Sequence, residues 1–479
     1  MILPFAKGKK YYVVGLGKSG WSCIESLVQS EATVLVWDDA NENQKKALEK
    51  GLTLVAPQDV IWDSLTALVL SPGIPHFFPE PHVSAVYARS HQIPVICDVD
   101  LFFQSCPEGP VVGVTGTNGK STTAALISHC LNMAGLSAQA VGNIGVPALD
   151  NQEKTSDTKK ITVIELSSYQ LERVPHLSLD VAVHLNLSPD HLSRHGGFKG
   201  YCEAKKHIFG QANLAVVGID DDHSRVLFES LDSRDFISGK ISLSTTDHQA
   251  VKSGLFYESG NYIEVLDAVE LAKDFVPDEG VFLTANDCPS SLMGRHNAQN
   301  IMAAYAVCQH FGVSRVDFKK AIASFPGLSH RQEVLRQDGT LTIVNDSKAT
   351  NVMSTLTALR TYDNIFWIAG GQGKNESLDP LAEFFPKIRK VYLIGQAMKY
   401  FAKELGKHLM VQECGILDTA VRNAYHDAKQ EKNAVLLFSP ACASFDQFKN
   451  FEERGEAFRR LVLSLEQDQF FEIPQRDFR

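Results

Sequence analysis

The sequence predicts an α/β protein of three units. These are a Rossmann-like N-terminal unit over residues 1–102, a central unit over 103–327 with a mainly parallel sheet around a phosphate-type loop, and a Rossmann-like C-terminal unit over 328–479. Three observations predict it. Short β-branched runs are followed repeatedly by a glycine- or serine-bearing turn and then by a helix-period pattern, as in strands joined by crossover helices. One turn, in the second unit, carries closely spaced glycines before Lys120-Ser121. And 479 residues are too many for one hydrophobic core.

The central loop is the strongest local signal. Val111 to Thr115 reads as a buried strand, and a helix pattern starts near Thr122. Between them lie Gly116, Thr117, Asn118, Gly119, Lys120 and Ser121. A strand, a tight turn and a helix N-terminus aim unpaired N–H groups and the positive end of the helix dipole at one point, which suits an anion. Lys120 adds a mobile charge for β/γ-phosphates, and the Ser121 hydroxyl can face Mg²⁺. The common form of this loop has glycine six residues before the lysine, where this chain has Val114. The spacing that survives is Gly-x-x-Gly-x-x-Gly-Lys-Ser.

Composition excludes several classes. The net charge is −10, with 44% hydrophobic and 21% charged residues. That balance argues against broad nucleic-acid or anionic-membrane binding. The nine cysteines show no metal-type pairing and read as free thiols of a reducing compartment. No apolar run is long enough for a signal peptide or a membrane span, so the expected location is the cytoplasm.

In the first unit, Tyr11 to Val14 is a strand leading into Gly15-Leu-Gly17-Lys18-Ser19-Gly20, and a second strand, Ala32 to Trp37, ends at Asp38-Asp39. Such a turn with an acid about twenty residues on places a phosphate or ribose over a helix start, without specifying which nucleotide. A helix at 41–49, strands at 52–55 and 67–70, a helix at 80–90 and a strand at 94–96 complete the alternation. Ser71-Pro72-Gly73 ends one strand as a ligand edge or a plain turn. Residues 107–110 form a linker.

In the central unit, a helix over 121–134 and a strand over 138–141 lead to Gly142-Asn143-Ile144-Gly145, before a polar loop over 151–160. Strand 161–165 delivers Glu165 at its end, and strand 180–186 leads to Asp190-His191. A carboxylate and an imidazole leaving one sheet edge could hold a metal or its water, although an ordinary strand-end glutamate and a structural histidine fit the spacing too. A helix follows with Tyr201, Lys205 and Ile208. Residues 214–287 read as β-rich, with one or two strands in the main sheet and a smaller antiparallel patch. Gly294 to Asn300 opens a helix whose first-turn amide side chains, on Asn297, Gln299 and Asn300, can read a base or cap the helix. A helix at 317–324 closes the unit.

In the third unit, strands at 333–337 and 341–345 lead to Asp346-Ser347-Lys348-Ala-Thr350, and strands at 364–369, 390–394 and 434–438 each precede a helical pattern, at 378–388, 397–404 and 446–461. Lys348, Lys374 and Ser444 fall at the ligand edge of such a sheet, where two lysines and a hydroxyl suit a small dicarboxylate. The residues after about 470 read as a tail.

Taken together, Gly15–Gly20, Ser71–Gly73, Thr115–Thr122, Gly142–Gly145, Glu165-Leu-Ser-Ser168, Asp190-His191, His296-Asn297, His330-Arg331, Asn345–Thr350 and Ser439-Pro-Ala-Cys-Ala-Ser-Phe-Asp446 resemble the bacterial Mur ligases. These are ATP-dependent amide-forming ligases in a family that also holds folylpolyglutamate synthetase. The resemblance covers nearly the whole chain, and the run from Ser439 to Gly455 points to the D-glutamate-adding member. It implies a three-domain Mur ligase architecture with a P-loop ATPase-like centre. It implies addition of D-glutamate to UDP-N-acetylmuramoyl-L-alanine by a monomer that binds neither nucleic acid nor membrane. Gly17, Lys18, Ser19, Asp38, Asp39, Ser71, Pro72, Gly73 and Asn143 would bind the UDP substrate. Gly116 to Thr122, Asn297, Arg331 and Asp346 would bind ATP. Lys120, Glu165, His191 and Lys205 would be catalytic. Ser121, Glu165, His191 and Lys205, the last as a carbamate, would hold two Mg²⁺ ions. Lys348, Thr350, Lys374, Ser444 and Phe451 would frame D-glutamate.

Gln372, Ala40 and Ser193 depart from the family pattern at single contacts. A folylpolyglutamate synthetase would lack the first unit and the Ser439–Asp446 segment. A nicotinamide-dependent oxidoreductase would leave the phosphate loop unexplained. A nucleotide-gated binding module would bind ATP without substrate-dependent phosphate release.

Overall fold

A computed structural model describes residues 1–143, 145–150, 159–233, 237–246, 251, 254–265, 280–292, 294–373 and 377–468. The chain divides into two compact units, Met1–Pro289 with Arg295–Phe325, and Ser290–Gly294 with Pro326–Arg479. Among the described residues no helix is long and apolar enough to cross a membrane.

The first unit holds two sheets. Strands β1 (Lys10–Val14), β2 (Thr33–Trp37), β3 (Thr53–Leu54), β4 (Ala67–Leu70) and β5 (Val95–Ile96) lie in the order 3-2-1-4-5, all parallel. β1 and β4 are buried on both faces, which is why they read as unbroken apolar runs. The order reverses between β1 and β4, so the crevice at their carboxyl ends is a topological switch point.

The second sheet comprises β6 (Val111–Thr115), β7 (Ala138–Gly142), β8 (Ile161–Glu165), β9 (Leu179–His184), β10 (Ala212–Gly218), β11 (Gly239–Ser244), β12 (Gly254–Glu258), β13 (Asn261–Val265) and β14 (Val281–Thr284). Their order is 14-13-12-11-10-9-6-8-7. The expected antiparallel patch is present as the edge of the main sheet, and the expectation of one or two strands in that sheet is corrected to three parallel ones. β10, β11 and β12 all continue the parallel sheet, and only β13 and β14 run antiparallel, on its edge. The alternating polar pattern of β12 and β13 reflects an edge exposed on one face.

The helix Asp98–Gln104, not anticipated from sequence, joins the two sheets. Its Val99, Leu101, Phe102 and Phe103 are buried in one apolar cluster with residues of β1, β2 and β4 and of β6 to β10. Its two aspartates, and a stretch too short to show a helical period, hid it. The helix Asp222–Glu229 was also missed, inside the stretch read as β-rich.

The second unit is a single six-stranded sheet of β15 (Glu333–Gln337), β16 (Leu341–Asn345), β17 (Ile365–Gly370), β18 (Ile388–Ile394), β19 (Val411–Gly415) and β20 (Ala434–Phe438), in the order 15-16-20-17-18-19. All pairs are parallel except β15 with β16. β19 and the following helix Leu417–Ala428 were not anticipated. The predicted helix over 378–388 is a 3₁₀ segment, Asp379–Lys387; Pro386 inside it lacks the amide donor that an α-helix would need there. The last helix starts at Phe451 rather than 446. The predicted polar loop lies almost wholly, and the C-terminal tail entirely, outside the described residues.

Gly20, in the helix Lys18–Gln29, lets that helix sit on the Gly15 turn: a Cβ there would lie 1.9 Å from the Gly15 carbonyl oxygen. The backbone oxygen cannot yield as a side chain would. Gly20→Ala is expected to destabilise the first unit by about 1–3 kcal/mol, read as a lower thermal unfolding midpoint.

Candidate functional site

The loop between β6 and the helix Lys120–Met133 lies at the carboxyl edge of the central sheet, flanked by β9 and β8. Its shape is fixed from three sides. Thr117 N–H donates to Asn186 O and Asn118 N–H to Asn186 Oδ1, both at 2.9 Å. Asn186 Nδ2 is tied to Gln299 Oε1 at 2.9 Å. Thr117 Oγ1 accepts from Ser188 N–H at 3.0 Å and meets the Tyr201 hydroxyl at 2.9 Å. Gly119 has φ of +85°, and a Cβ there would lie 2.3 Å from Asn300 Oδ1. That oxygen accepts from Thr123 Oγ1 at 3.1 Å, while Asn300 Nδ2 donates to Asn297 Oδ1 at 3.0 Å.

Two lysines converge on this loop. Lys120 Nζ donates to Gly116 O at 2.9 Å and Thr117 O at 2.8 Å. Lys205 Nζ, from the helix Phe198–Lys206, donates to the same Gly116 O at 2.8 Å and to Thr115 Oγ1 at 3.1 Å. Lys205 is 1% exposed. Burial first, and the nearby Lys120 charge second, hold its amine well below the usual lysine range.

Glu165 ends β8 and is 1% exposed. Its Oε1 accepts from Asn143 Nδ2 at 3.0 Å, and its Oε2 is buried with no hydrogen-bond partner among the described residues. A buried, unpartnered carboxylate oxygen beside a phosphate-type loop fits a cation. His191 has φ of +51°, with Nε2 3.5 Å from Asp190 Oδ2 and its ring 5.1 Å from that of Tyr169. Burial pulls its pKa down against the opposing pull of Asp190. Ser121 is buried at the helix start. Among the described residues no group of three or more His, Cys, Asp or Glu side chains could hold a metal. A cation here would draw on Ser121, Glu165 and His191 together with oxygens of its phosphate ligand.

At the edge of the N-terminal sheet, Leu16 N–H donates to Asp38 Oδ2 at 2.7 Å and Ala40 N–H to Asp38 Oδ1 at 2.8 Å, so this acid shapes the turn. Ser71 Oγ donates to Gly15 O at 2.7 Å and ties the two strand-end turns together. Asp39 receives Trp37 Nε1 at 3.0 Å and lies 3.2 Å from His82 Nε2. Lys18 Nζ donates to Gly145 O, and Ser19 bonds Asp98.

In the second unit, Asp346 is buried at the end of β16. Its Oδ2 accepts from Ser439 Oγ at 2.7 Å and its Oδ1 from Gln332 N–H at 3.2 Å. Burial raises its pKa to about 7 against these bonds and the Arg331 charge. Arg331 sits between His330 and Gln332, both at positive φ. Lys348 Nζ lies 3.9 Å over the Phe451 ring, which brings two of the predicted residues together. Ser444 is buried and Thr350 half-buried. Lys374 lies outside the described residues.

The Mur ligase middle domain matches residues 114–308, and the MurD-like N-terminal domain of Mur ligases matches residues 9–96. The UDP-N-acetylmuramoylalanine–D-glutamate ligase of Paramagnetospirillum magneticum is 40% identical over 472 residues, covering 97% of this chain and 98% of its own. The chain belongs to the Mur ligase family. The ligase of the same name from Rhodospirillum rubrum is 40% identical, over 96% of this chain and 95% of its own. Among solved structures, UDP-N-acetylmuramate–alanine ligase of Thermotoga maritima shares the fold with a TM-score of 0.58 at 17% identity, covering 96% of this chain and 99% of its own. MurF of Acinetobacter baumannii does so with 0.58 at 16%, covering 98% and 93%. The three-domain Mur ligase architecture expected from sequence is thus the observed one.

Sequence reasoning missed residues that shape this Mur ligase without lying in a glycine motif. Asn186, Gln299 and Asn300 brace the loop, and Arg454, 1% exposed, donates to Ser347 O at 2.8 Å and Cys442 O at 3.0 Å. Buried amides and a buried arginine aimed at backbone carry no spacing signature. Gln372, one of the departures, pairs through its backbone N–H with Ala443 O at 2.9 Å, a contact that does not depend on its side chain.

Asn300→Ala removes the brace on Gly119 and Thr123. It is expected to weaken ATP binding about tenfold, the equivalent of one buried hydrogen-bond network member, measured as the dissociation constant for ATP. Asp346 binds a proton in the folded unit between about pH 4 and 7 that the unfolded chain has lost. The stability it contributes is present below that window and is lost as pH rises through about 7. Asp346→Asn should therefore be more stable than the parent at pH 8, by on the order of 2–4 kcal/mol, with the gap closing near pH 4, as read from unfolding curves at both values.

Proposed function

We propose that this chain adds D-glutamate to UDP-N-acetylmuramoyl-L-alanine, forming ADP and phosphate, as an acid–amino-acid ligase of peptidoglycan precursor synthesis (EC 6.3.2.9). The observation that carries the reading is 40% identity along 97% of the chain to a ligase named for that reaction. The convergence of Lys120 and Lys205 on one phosphate-type loop, with Glu165 at the end of the neighbouring strand, supports it.

In this reading the first unit binds UDP through residues of 1–102 and ATP through residues of 103–327, and residues 328–479 bring the amino acid. Gly17, Lys18, Ser19, Asp38, Asp39, Ser71, Pro72, Gly73 and Asn143 serve the UDP substrate. The loop Gly116–Thr122, with Asn297, Arg331 and Asp346, serves ATP. Lys348, Thr350, Lys374, Ser444 and Phe451 frame D-glutamate. The alanyl carboxylate attacks the γ-phosphorus of ATP, giving an acyl phosphate and ADP. The D-glutamate amine then attacks the acyl carbon, and phosphate leaves through a tetrahedral intermediate. Attack of one anion on another needs charge neutralisation. Lys120 supplies part of it, releasing its two loop carbonyls to reach phosphate oxygens. Bound Mg²⁺ supplies the rest as a Lewis acid. Ser121, Glu165, His191 and Lys205 as a carbamate would hold two such ions.

The carbamate on Lys205 is what the resemblance to Mur ligases implies, and a buried amine held below the usual lysine range is compatible with it. An amine in its neutral form can attack CO₂: an N–C bond forms as one C=O π pair moves to oxygen, one N–H proton is released, and a neutral group becomes an anion. Lys205→Ala is expected to lose activity, and acetate to restore part of it. Activity of the variant indifferent to added carboxylate would remove the carbamate from the scheme. We place the enzyme in the cytoplasm as a monomer.

The deciding experiment is phosphate release from Mg·ATP and UDP-N-acetylmuramoyl-L-alanine with D-glutamate, L-glutamate, L-lysine or meso-diaminopimelate. Release with D-glutamate alone is expected. Release with another amino acid would overturn the assignment of residues 328–479, and Lys120→Ala should abolish release altogether.

A further inference from the structure

The Ser71-Pro72-Gly73 turn is gripped by two arginines that no motif announced. Arg173, just after the short helix Ser168–Leu171, is 1% exposed. It donates Nε–H to Tyr169 O at 3.0 Å, Nη1–H to Leu70 O at 3.0 Å and Ser71 O at 3.3 Å, and Nη2–H to Pro72 O at 3.0 Å. Arg194, three residues after His191, donates Nη2–H to Pro72 O at 3.2 Å and Ile74 O at 3.0 Å, and Nη1–H to Phe78 O at 2.9 Å. Its guanidinium lies 4.6 Å over the Tyr169 ring.

Every one of these acceptors is a main-chain carbonyl. Among the described residues neither guanidinium bonds a carboxylate; the Arg173 charge is compensated by peptide dipoles and, at longer range, by Glu172 and Asp98, an expensive way to brace a turn. The geometry shows what the arrangement provides. Pro72 O receives a bond from both arginines, and the Pro72–Gly73 peptide is trans. In a trans peptide the C=O and N–H vectors are opposed, so the Gly73 N–H points away from the two cations. Gly73 is exposed, and a Cβ built on it meets nothing within 4 Å. The turn follows β4, at the switch point beside Gly15, to which Ser71 Oγ is bonded. Cations on the carbonyl polarise the amide and make its N–H a stronger donor to an anion.

We propose that Arg173 and Arg194 are positioning residues that orient and polarise the Pro72–Gly73 peptide so that its N–H binds the diphosphate of the nucleotide-linked substrate. The proposal rests on the reading of this sheet edge as the UDP site. Arg173 and Arg194 do not touch the substrate; they act through the peptide.

The test is calorimetric titration of the full chain with UDP, with uridine and with ADP, for the parent, Arg194→Met, Arg194→Lys and Arg173→Lys. Arg194 is only half-buried, so its loss threatens the fold less than loss of Arg173; thermal melts confirm folding of each variant. Arg194→Met should weaken UDP binding roughly 10- to 100-fold, the worth of one charge-assisted hydrogen bond. Uridine, which lacks the phosphates, and ADP, bound at the central loop, should be held as by the parent. The lysine variants should recover part of the UDP affinity, because a point charge polarises the carbonyl without the two-pronged fit. Equal losses for uridine and UDP would reduce the arginines to scaffolding and overturn the proposal, as would unchanged UDP affinity in all variants. A parent that binds ADP but neither UDP nor uridine would instead overturn the underlying reading of this edge, and the proposal with it.

Discussion

One carbonyl oxygen, that of Gly116, takes hydrogen bonds from two lysines, and the rest of the central site depends on how that crowding is tolerated. Two ammonium groups on one acceptor repel each other, and the repulsion is strongest where water is excluded. The deeper amine, Lys205, is the one whose pKa burial and the neighbouring Lys120 charge push down. The two lysines thus differ in environment: Lys205 is 1% exposed and Lys120 half-buried. Glu165, with one oxygen held by Asn143 and the other unpartnered, sits at the end of the neighbouring strand.

The parallel strands and the loop of this chain were legible because each carries its own local signature. β6, β8 and β9 are apolar runs closed by a polar residue or turn, and Gly119 answers to a positive φ that its neighbours enforce. The resemblance to Mur ligases, carried by ten such segments, agrees with a relative that covers 97% of the chain. What escaped reading lacked a local pattern. The helix Asp98–Gln104 has too few residues to show a period, and β19 is half-polar because it forms an edge. The extent of the central sheet was misjudged because a polar, alternating strand looks the same whether it extends a large sheet or begins a small one.

Site residues divide along the same line. Lys120, Glu165, His191 and Asp346 stand at strand ends or turns, where function concentrates and spacing is informative. Asn186, Arg173 and Arg454 work through backbone groups, and Asn300 through the side chains of Thr123 and Asn297; only the fold brings most of these partners near. Asp38 shows a third case. It was read as a ligand-binding acid, and its carboxylate is bonded to the N–H groups of Leu16 and Ala40, so part of its acceptor capacity serves the turn itself.

The helix Asp98–Gln104 also bears on how the molecule can be dissected. Phe102 and Phe103 lie in apolar packing that draws on both sheets of the first unit. A fragment ending near residue 102 would carry an aromatic surface stripped of its cover, and the remainder would keep a matching hollow. The N-terminal Rossmann-like sheet is therefore not a detachable module. The main change of unit along the chain comes after Phe325, with Ser290–Gly294 the one earlier segment that belongs to the second unit.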